Sequence, residues 1–533
     1  MNRARSLAWA SVAGVLGAAA CATSTGAGGQ CGPGTYDLAG NGSCDYKCTP
    51  GPGAPNDPID PAFVDENCDG SDGVVAKCIF VATDGTDSAN AGTRAAPMKT
   101  LAYAIKAAKD RGGMDVCASA ETYTGEVDMI SGVSLYGGFN EHAEGFAFRR
   151  EKGAVTTLTA KGTVVVAAGI DVDTHLEGLL INAAAPDPPA KGLGVYGVRL
   201  IGGLGTLFVR YDNINTEPGQ DGEAGTPGAG GANGANGENG QAGCSHCSST
   251  PPNGGSPGGA SPASSCGGPA GGKGGQGGWD QSAGEQGGNG SGSNSSGGSG
   301  GSGGSTCSVS GGGNGADGQS PNQPGANGAD GIAGVAKGAL ENEASFTPAR
   351  GGTGQLGIAG NAGGGGGGGG GGTNGGLCFG DRGSGGGSGG TGGCAGTAGT
   401  GAQGGGASFA ISARAGRLVA GANRLQAGKG GSGGAGGSGG AGGAGGKGGS
   451  GSGRNDDGGS SGKGGDGSIG GGGGNGGGGA GGPSACIATA AGVVLDETPI
   501  NQCTAFGGGS GGAGGNHAPN NGPDGLSAPD LSF

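Results

Sequence analysis

The sequence predicts an all-β solenoid whose second half is interrupted by long glycine-rich insertions. Short strand patterns return at about twenty-residue intervals, near Val133, Thr156, Leu179 and Val198, as the stacked turns of a solenoid do. Glycine supplies 153 of 533 residues, with 32 in the first 215 positions and 121 in the remaining 318. Because glycine has no side chain to bury, the second half cannot form an ordinary globular core.

Residues 1–20 have the pattern of a secretory signal peptide: two arginines, then an uncharged run of about 14 apolar or small residues, too short to span a membrane. Cys21 follows Ala18-Ala19-Ala20 and resembles the lipidated cysteine of a bacterial lipobox, although Ala18 stands where leucine is usual. Ala22 follows in place of aspartate, so the resemblance implies an outer-membrane or cell-surface lipoprotein. Ordinary cleavage and secretion, with Cys21 as a disulfide cysteine, is the alternative.

The fifteen cysteines indicate an oxidising compartment. Without Cys21, fourteen remain, enough for seven disulfides whose pairing the sequence leaves open. The net charge of −14 disfavours nucleic acid as a partner and suits divalent cations or simple solubility.

Residues 21–62 are predicted to form a tether and a small cysteine-containing segment, and residues 63–76 an acidic calcium-loop-like segment. The run from Asp65 to Gly70 matches the first half of a calcium loop, with candidate ligands Asp65, Asn67, Asp69 and Asp72. Position twelve of such a loop is Ala76 rather than glutamate, which excludes an EF-hand. The segment resembles short Asp-Asn-Cys-Asp-Gly calcium-binding repeats of secreted bacterial proteins; a polar turn pinned by Cys68 is the alternative.

Residues 77–215 are predicted to form the N-terminal part of the solenoid. A strand at Ile79–Ala82 precedes a helix at Pro97–Lys109, and only strand patterns follow. Apolar residues of the helix recur at intervals of three and four, which gives it one buried face. They are Met98, Leu101, Ala102, Ala104, Ile105 and Ala108.

Several motifs in this region resemble a known family. They are Phe80-Val81-Ala82-x-Asp84-Gly85-x-Asp87, Pro97-x-Lys99-Thr100-Leu101 and Val133-x-Leu135-x-Gly137-Gly138-Phe139. They resemble the opening of right-handed parallel β-helix proteins related to pectin lyases, in particular an uncharacterised group of secreted domains. The resemblance implies that the helix caps the N-terminal end of the solenoid.

Residues 216–533 are glycine-rich. Glycine recurs every third residue from Gly219 to Gly243, and Gly-Gly-X repeats from Gly430 to Ser450. Too little proline is present for collagen, so polyglycine helices with three residues per turn fit better. The tracts resemble those of mycobacterial PGRS-type surface proteins and of some glycine-rich antifreeze proteins. The alternative is a flexible, disordered tract, which the ten glycines from Gly363 to Gly372 favour.

Three apolar islands interrupt the glycine, near residues 332–346, 407–427 and 486–503. We expect them to be returning β-helix rungs, so that the glycine tracts are insertions between rungs.

A carbohydrate-active site is the weaker alternative for this chain. Its candidate catalytic residues are Asp171, Asp173 and Arg199, with His175 beside the aspartates and Arg210 on a later rung. In this alternative the paired carboxylates bind calcium, and an arginine abstracts a proton from a uronate. The motifs of pectin-hydrolysing relatives are absent, and Asp and His at a rung corner more often only solvate a turn.

The sequence therefore predicts a non-enzymatic structural, matrix or adhesion lipoprotein of a bacterial envelope. It would be attached to the outer membrane by a lipid anchor, with polysaccharide or matrix as its partner and calcium as its one candidate cofactor. The alternative is a calcium-dependent polysaccharide-binding or lyase-like β-helix protein.

Overall fold

The computed structural model describes residues 31–38, 42–143, 147–187, 190–245, 256–305, 311–335, 337–341, 343–373, 380–454, 456–516 and 518–533. The predicted signal peptide and Cys21 lie outside these ranges. Within the described ranges, one α-helix, α1 (Leu101–Asp110), and two 3-10 turns, Val75–Lys77 and Ala518–Asn520, accompany the strands. The strands are β1 (Thr35–Tyr36), β2 (Tyr46–Lys47), β3 (Cys78–Val81), β4 (Asp115–Ser119), β5 (Thr122–Thr124), β6 (Val127–Met129), β7 (Leu135–Asn140), β8 (Arg149–Arg150), β9 (Thr156–Lys161), β10 (Thr163–Ala167), β11 (Thr174–Glu177), β12 (Leu179–Ala184), β13 (Val195–Leu200), β14 (Thr206–Arg210), β15 (Asn213–Thr216), β16 (Ala339–Leu340), β17 (Phe346–Thr347), β18 (Gly372–Thr373), β19 (Gly380–Asp381), β20 (Ser408–Ala413), β21 (Arg417–Gly421), β22 (Arg424–Ala427), β23 (Ser484–Thr489), β24 (Val494–Asp496), β25 (Gln502–Ala505) and β26 (Ser527–Ser532).

Three parallel sheets form the walls of the predicted all-β solenoid. The first sheet has the order β6-β10-β13-β20-β23-β26, the second β3-β4-β7-β11-β14-β21-β24, and the third β5-β9-β12-β15-β22-β25. From β6 onward the chain visits the first, second and third sheets in turn, and each circuit adds one rung. Alternate side chains point inward and stack on the equivalent residues of neighbouring rungs, as Leu176 does on Leu135 and Val209.

The helix α1 covers the N-terminal end of the solenoid. Its buried residues Leu101, Ala104, Ile105 and Ala108 belong to the same apolar core as the inward residues of the first rungs. The Thr100 side chain accepts a hydrogen bond from the Tyr103 amide at 3.3 Å and so caps the helix. The N-terminal rung therefore has a covered end.

The glycine-rich tracts all leave the solenoid at one corner, between a strand of the third sheet and the next strand of the first. In early rungs this corner is short: residues 162 and 185–194 join β9 to β10 and β12 to β13. In later rungs it expands into three excursions, residues 217–407, 428–483 and 506–526. Because they start from stacked rungs, the excursions lie side by side and form what we call the glycine bundle.

Backbone hydrogen bonds with a three-residue period hold the glycine bundle together. Every third amide from Gly219 to Gly240 donates to every third carbonyl from Lys429 to Ser450, at 2.7–3.0 Å. Residues 385–406 pair with the first of these segments in the opposite direction. This periodicity is that of an extended helix with three residues per turn, as predicted, and it satisfies backbone groups that would otherwise need water.

A segment that is packed against more neighbouring segments has more glycines in each triplet. One glycine in three suffices for residues 219–243, whereas residues 430–450, with two in three, present only every third residue outward. Gly363–Gly371 lies at the centre and is buried throughout. The run has three faces, each formed by every third glycine. A Cβ added on these faces would meet main-chain carbonyls of residues 459–465, 296–302 and 273–280, respectively. The ten-glycine run is thus the packed centre, not a flexible tract.

Polar side chains terminate the bundle at its edges. The Oδ1 atoms of Asn233, Asn236 and Asn239 accept hydrogen bonds from the amides of residues 444, 447 and 450 at 2.8–3.0 Å. Thr397 and Thr400 do the same for another segment, at 2.6–2.7 Å. Thr391, which is buried, binds the Ala235 amide in the same way at 2.7 Å. These side chains replace the missing neighbour and explain why Asn, Asp, Ser and Thr fill many of the X positions.

Two of the three apolar islands lie in the three sheets, as β20–β22 and β23–β25. Residues 332–346 differ from the predicted rung, because β16 and β17 form a separate antiparallel pair. Phe346 of this pair packs against Phe409 on the outside of the first sheet, with ring centroids 6.2 Å apart. A short apolar segment therefore covers the solenoid wall from outside instead of extending it.

Five disulfides are found among the described residues. They are Cys31–Cys44, Cys48–Cys68, Cys78–Cys117, Cys266–Cys394 and Cys486–Cys503. Cys244 is also disulfide-bonded. Cys266–Cys394 joins two segments of the glycine bundle, and the other four bridges lie in the N-terminal segment and the solenoid.

Candidate functional site

Asp171 and Asp173 lie where the first sheet turns into the second, and both carboxylates bind the main chain of the next rung. Asp171 Oδ1 accepts from the Leu204 amide at 3.1 Å, and Asp173 Oδ1 from the Thr206 amide at 2.9 Å. Both residues are exposed. Through these hydrogen bonds the two aspartates connect the corners of adjacent rungs.

Arg199, the third candidate catalytic residue, lies on the outer face of the first sheet, away from the corner that holds the two aspartates. Its guanidinium donates to the Glu343 carbonyl and lies over the ring of Tyr196, 5.5 Å from the centroid. The structure therefore does not combine the three residues into one constellation.

A different set of side chains converges on the outer face of the second sheet. His175 on β11 stacks on Phe208 of β14, with ring centroids 4.5 Å apart and planes 8° apart. His175 Nδ1 lies 2.7 Å from Glu177 Oε1, and Arg210 lies over the Phe208 ring at 4.7 Å. Tyr136 occupies the preceding rung, 6.2 Å from the imidazole. We call these five residues the second-sheet face.

Electrostatics on this face follow from burial. Glu177 is buried, and its carboxylate orients the imidazole of His175. Burial raises the pKa of Tyr136, and the nearby Asp115 and Glu177 carboxylates raise it further. Burial also raises the pKa of Asp115, whereas the nearby Lys77 and His175 act to lower it. The result is a row of aromatic rings flanked by carboxylates and one guanidinium, an arrangement suited to binding polar, ring-shaped ligands.

Sequence reasoning names only His175 and Arg210 of this face, as neighbours of Asp171 and Asp173, and does not single out the face itself. Its signal is a repeat at the rung spacing: His175-Leu-Glu177 and Phe208-Val-Arg210 are in register on adjacent strands. Neither triplet is distinctive alone, and only the pairing of β11 with β14 shows that the four side chains meet.

Residues of the calcium-loop-like segment bind one another and the main chain. Asp65 accepts from the Tyr46 hydroxyl at 2.6 Å and the Gly70 amide at 2.8 Å. Asp69 accepts from Asn67 Nδ2 at 3.1 Å and the Val75 amide at 2.8 Å. Burial raises the pKa of Asp69, and neighbouring Asp65 adds to this effect. The oxygens thus serve a compact turn in this structure, and calcium binding stays a prediction.

Asp72, the fourth candidate calcium ligand, forms a buried ion pair with Arg150 at 2.5 Å. Burial raises the pKa of Asp72 to about 6, and the Arg150 charge opposes this shift. Arg150 also donates to the carbonyls of Asp60 and Gly137 at 2.6 and 3.0 Å, and stacks on Phe63 at 4.7 Å. Arg150 therefore fastens the N-terminal segment to the solenoid.

At the distal end of the glycine bundle, the carboxylates of Asp381, Asp456 and Asp457 come within 4.8 Å of one another. Asp381 is fully buried and belongs to β19, whereas the other two lie in the turn of the second excursion. Carboxylate oxygens in such a group are the ligands that calcium prefers.

In the part of the chain that the structure describes, no helix has the length and apolar composition needed to cross a membrane. Comparisons with known proteins give no family: no family model, no curated protein and no solved structure matches this chain.

Proposed function

We propose that this protein is a non-enzymatic structural component of a bacterial cell surface, in which a β-helix carries the glycine bundle as a rigid, hydrated display surface. Export and lipidation at Cys21 belong to this proposal and rest on the N-terminal sequence. The cysteine content supports an oxidising location, since disulfides persist outside the cytoplasm.

The observation that carries the proposal is the construction of the bundle. Its backbone groups bond to one another with a three-residue period, and its outward positions hold mainly small or polar side chains. Such a surface is stiff and polar, and it contains few of the extended, accessible segments that proteases cleave. These properties suit a stalk or matrix element.

A second candidate, a polysaccharide-binding protein, is favoured by the second-sheet face. The stacked His175 and Phe208 rings, with Arg210 and Glu177 beside them, bring aromatic and hydrogen-bonding groups together on one wall. A face that crosses rungs suits a polymer, because equivalent positions repeat from one rung to the next. Calcium-dependent attachment of such a polymer belongs to this candidate.

The deciding experiment incubates the mature chain with acidic and neutral polysaccharides, with calcium or with a chelator. Co-sedimentation measures binding, and newly formed chain ends measure cleavage. A structural role predicts no new ends and no effect of changing Asp171→Asn together with Asp173→Asn. Release of ends would overturn the non-enzymatic proposal.

Variants separate the two candidates. Binding that is lost in Phe208→Ala but kept in Val172→Ala, an exposed control on the neighbouring corner, would favour the polysaccharide-binding protein. Binding unaffected by either change would exclude the second-sheet face as the attachment site.

A further inference from the structure

A ladder of side chains runs along the bend between the second and third sheets and repeats one hydrogen-bonding pattern. In three successive rungs, the side-chain Oδ1 of Asp212, Asn423 or Asn501 accepts a hydrogen bond from the backbone amide of the equivalent residue in the preceding rung. Asn501 accepts from Asn423 at 3.1 Å, Asn423 from Asp212 at 2.9 Å, and Asp212 from Leu179 at 2.8 Å. The four ladder positions are thus residues 179, 212, 423 and 501.

The second side-chain atom of the ladder has an equally regular partner. Asn501 Nδ2 donates to the carbonyl of Ala420 at 3.0 Å, and Asn423 Nδ2 donates to that of Val209 at 2.8 Å. In both cases the acceptor lies three residues before the ladder position of the preceding rung. For Asp212, the equivalent acceptor is the carbonyl of Leu176, since Leu176 is paired in register with Val209.

Asp212 places a carboxyl oxygen where the ladder requires a donor. The residue is 2% exposed, and its Oδ2 atom has no hydrogen-bond partner among the described residues. An ionised carboxylate there would set two acceptors against each other in a buried site, which is strongly unfavourable.

We propose that Asp212 is protonated in the folded protein at neutral pH and donates its carboxyl proton, through Oδ2, to the carbonyl of Leu176. In this form it has the hydrogen-bonding pattern of the asparagines that follow it. The folded chain takes this proton from solvent, and the unfolded chain returns it.

The charges around the ladder agree with this assignment. Burial raises the pKa of Asp212 well above its usual range, and the neighbouring Glu177 carboxylate raises it further. The hydrogen bonds from the Leu179 and Gly178 amides oppose the shift. Arg150 opposes it as well, but its guanidinium is already paired with Asp72. Asn423 and Leu179, the ladder neighbours on either side, are uncharged.

The site makes one seam of the solenoid sensitive to pH. The bond from the Asp212 amide to Asn423 joins two rungs that are 211 residues apart in sequence, across the first glycine excursion. Because the pKa of Asp212 is raised on folding, its contribution to stability is complete below the pKa of the unfolded group. That contribution is lost as pH rises toward the folded pKa.

The test compares wild type with Asp212→Asn, which supplies the same donor without titrating. Unfolding equilibrium constants are measured by denaturant at pH 5, 6, 7 and 8. We expect the wild-type constant, relative to that of the variant, to rise about tenfold per pH unit, since one proton is lost on unfolding. Asp173→Asn, at an exposed corner, serves as control and keeps the wild-type slope.

Infrared spectra of the folded proteins at pH 7 provide a direct second measurement. Wild type should show the carbonyl stretch of a neutral carboxylic acid that Asp212→Asn lacks. The proposal would be overturned by a constant ratio across the pH series or by identical infrared spectra. Failure of the variant to fold would also contradict it, because the amide reproduces the bonds of the neutral acid.

Discussion

At the scale of single residues, backbone proximity decides which side chains the bundle tolerates. Gly366 lies between three neighbouring segments, and a Cβ there would overlap the carbonyl oxygen of Gly462. Gly472 belongs to the same bundle, yet a Cβ there would have its closest neighbours at 3.4 and 3.6 Å. Two glycines in similar sequence surroundings therefore have different structural requirements.

Gly366→Ala is expected to destabilise the protein by about 1–3 kcal/mol, because the neighbouring backbone must move to accept the methyl group. Gly472→Ala, the matched control, should change the free energy of unfolding by no more than about 0.5 kcal/mol. Denaturant unfolding of both variants measures the difference. Equal effects would show that position 366 is not tightly packed.

Arg150→Ala is expected to cost about 3–5 kcal/mol, because it leaves the buried Asp72 carboxylate without its partner. Lys161→Ala, which removes an exposed ion pair with Asp187, should have little effect. The readouts are the thermal midpoint and proteolysis of the N-terminal segment, which should come loose in the first variant. An Arg150→Ala protein with wild-type stability would show that Arg150 does not hold the N-terminal segment on the solenoid.

At the scale of elements, single cross-links connect segments that are distant in sequence. Cys266–Cys394 joins two bundle segments across a sequence separation of 128, whereas Cys31–Cys44 closes a separation of only 13. The entropy lost by the unfolded chain grows with the size of the closed loop. The bridge with the larger loop, Cys266–Cys394, should therefore stabilise the folded protein more.

Replacing Cys266 and Cys394 by alanine should lower the free energy of unfolding by up to about 5 kcal/mol, and replacing Cys31 and Cys44 by up to about 3 kcal/mol. Thermal unfolding of both double variants tests the order. A larger loss from the N-terminal pair would show that the bundle does not depend on its bridge.

At the scale of the whole molecule, the stacking of the solenoid rungs determines how the segments of the glycine bundle are arranged. Three excursions leave stacked rungs at the same corner, so residues on the first and second excursions that differ by about 210 in number lie side by side. Every amide from Gly363 to Gly371 donates to the carbonyl of a neighbouring segment. Order in the glycine tracts is therefore a property of the assembled chain.

Amide hydrogen exchange should distinguish this state from a flexible tract. Peptides from residues 363–371 are expected to exchange as slowly as those from β20, because both are buried and hydrogen-bonded. The exposed turn near Gly453 should exchange fast and serves as internal control. Exchange of the central run at the rate of the turn would refute the packed bundle.

The sequence by itself determined the all-β solenoid, the N-terminal helix and the three-residue period of the tracts. These features depend on local spacing: strand patterns at rung intervals, an amphipathic run of residues, and glycine at every third position. The rungs at β20–β22 and β23–β25 also lie where the apolar islands stand in the sequence, because only those segments can fill the core.

Only the tertiary structure decided whether the ten-glycine run is loose or packed, because its order comes from segments up to about a hundred residues away. The same holds for the candidate sites. Asp171 and Asp173 lie at a corner of the solenoid, whereas Arg199 lies on the outer face of the first sheet. His175 and Phe208, by contrast, meet only through strand register. Asp212 differs from an ordinary surface aspartate because the ladder surrounds it. Sequence patterns fix local periodicity, but the register of distant segments fixes which groups share a buried environment.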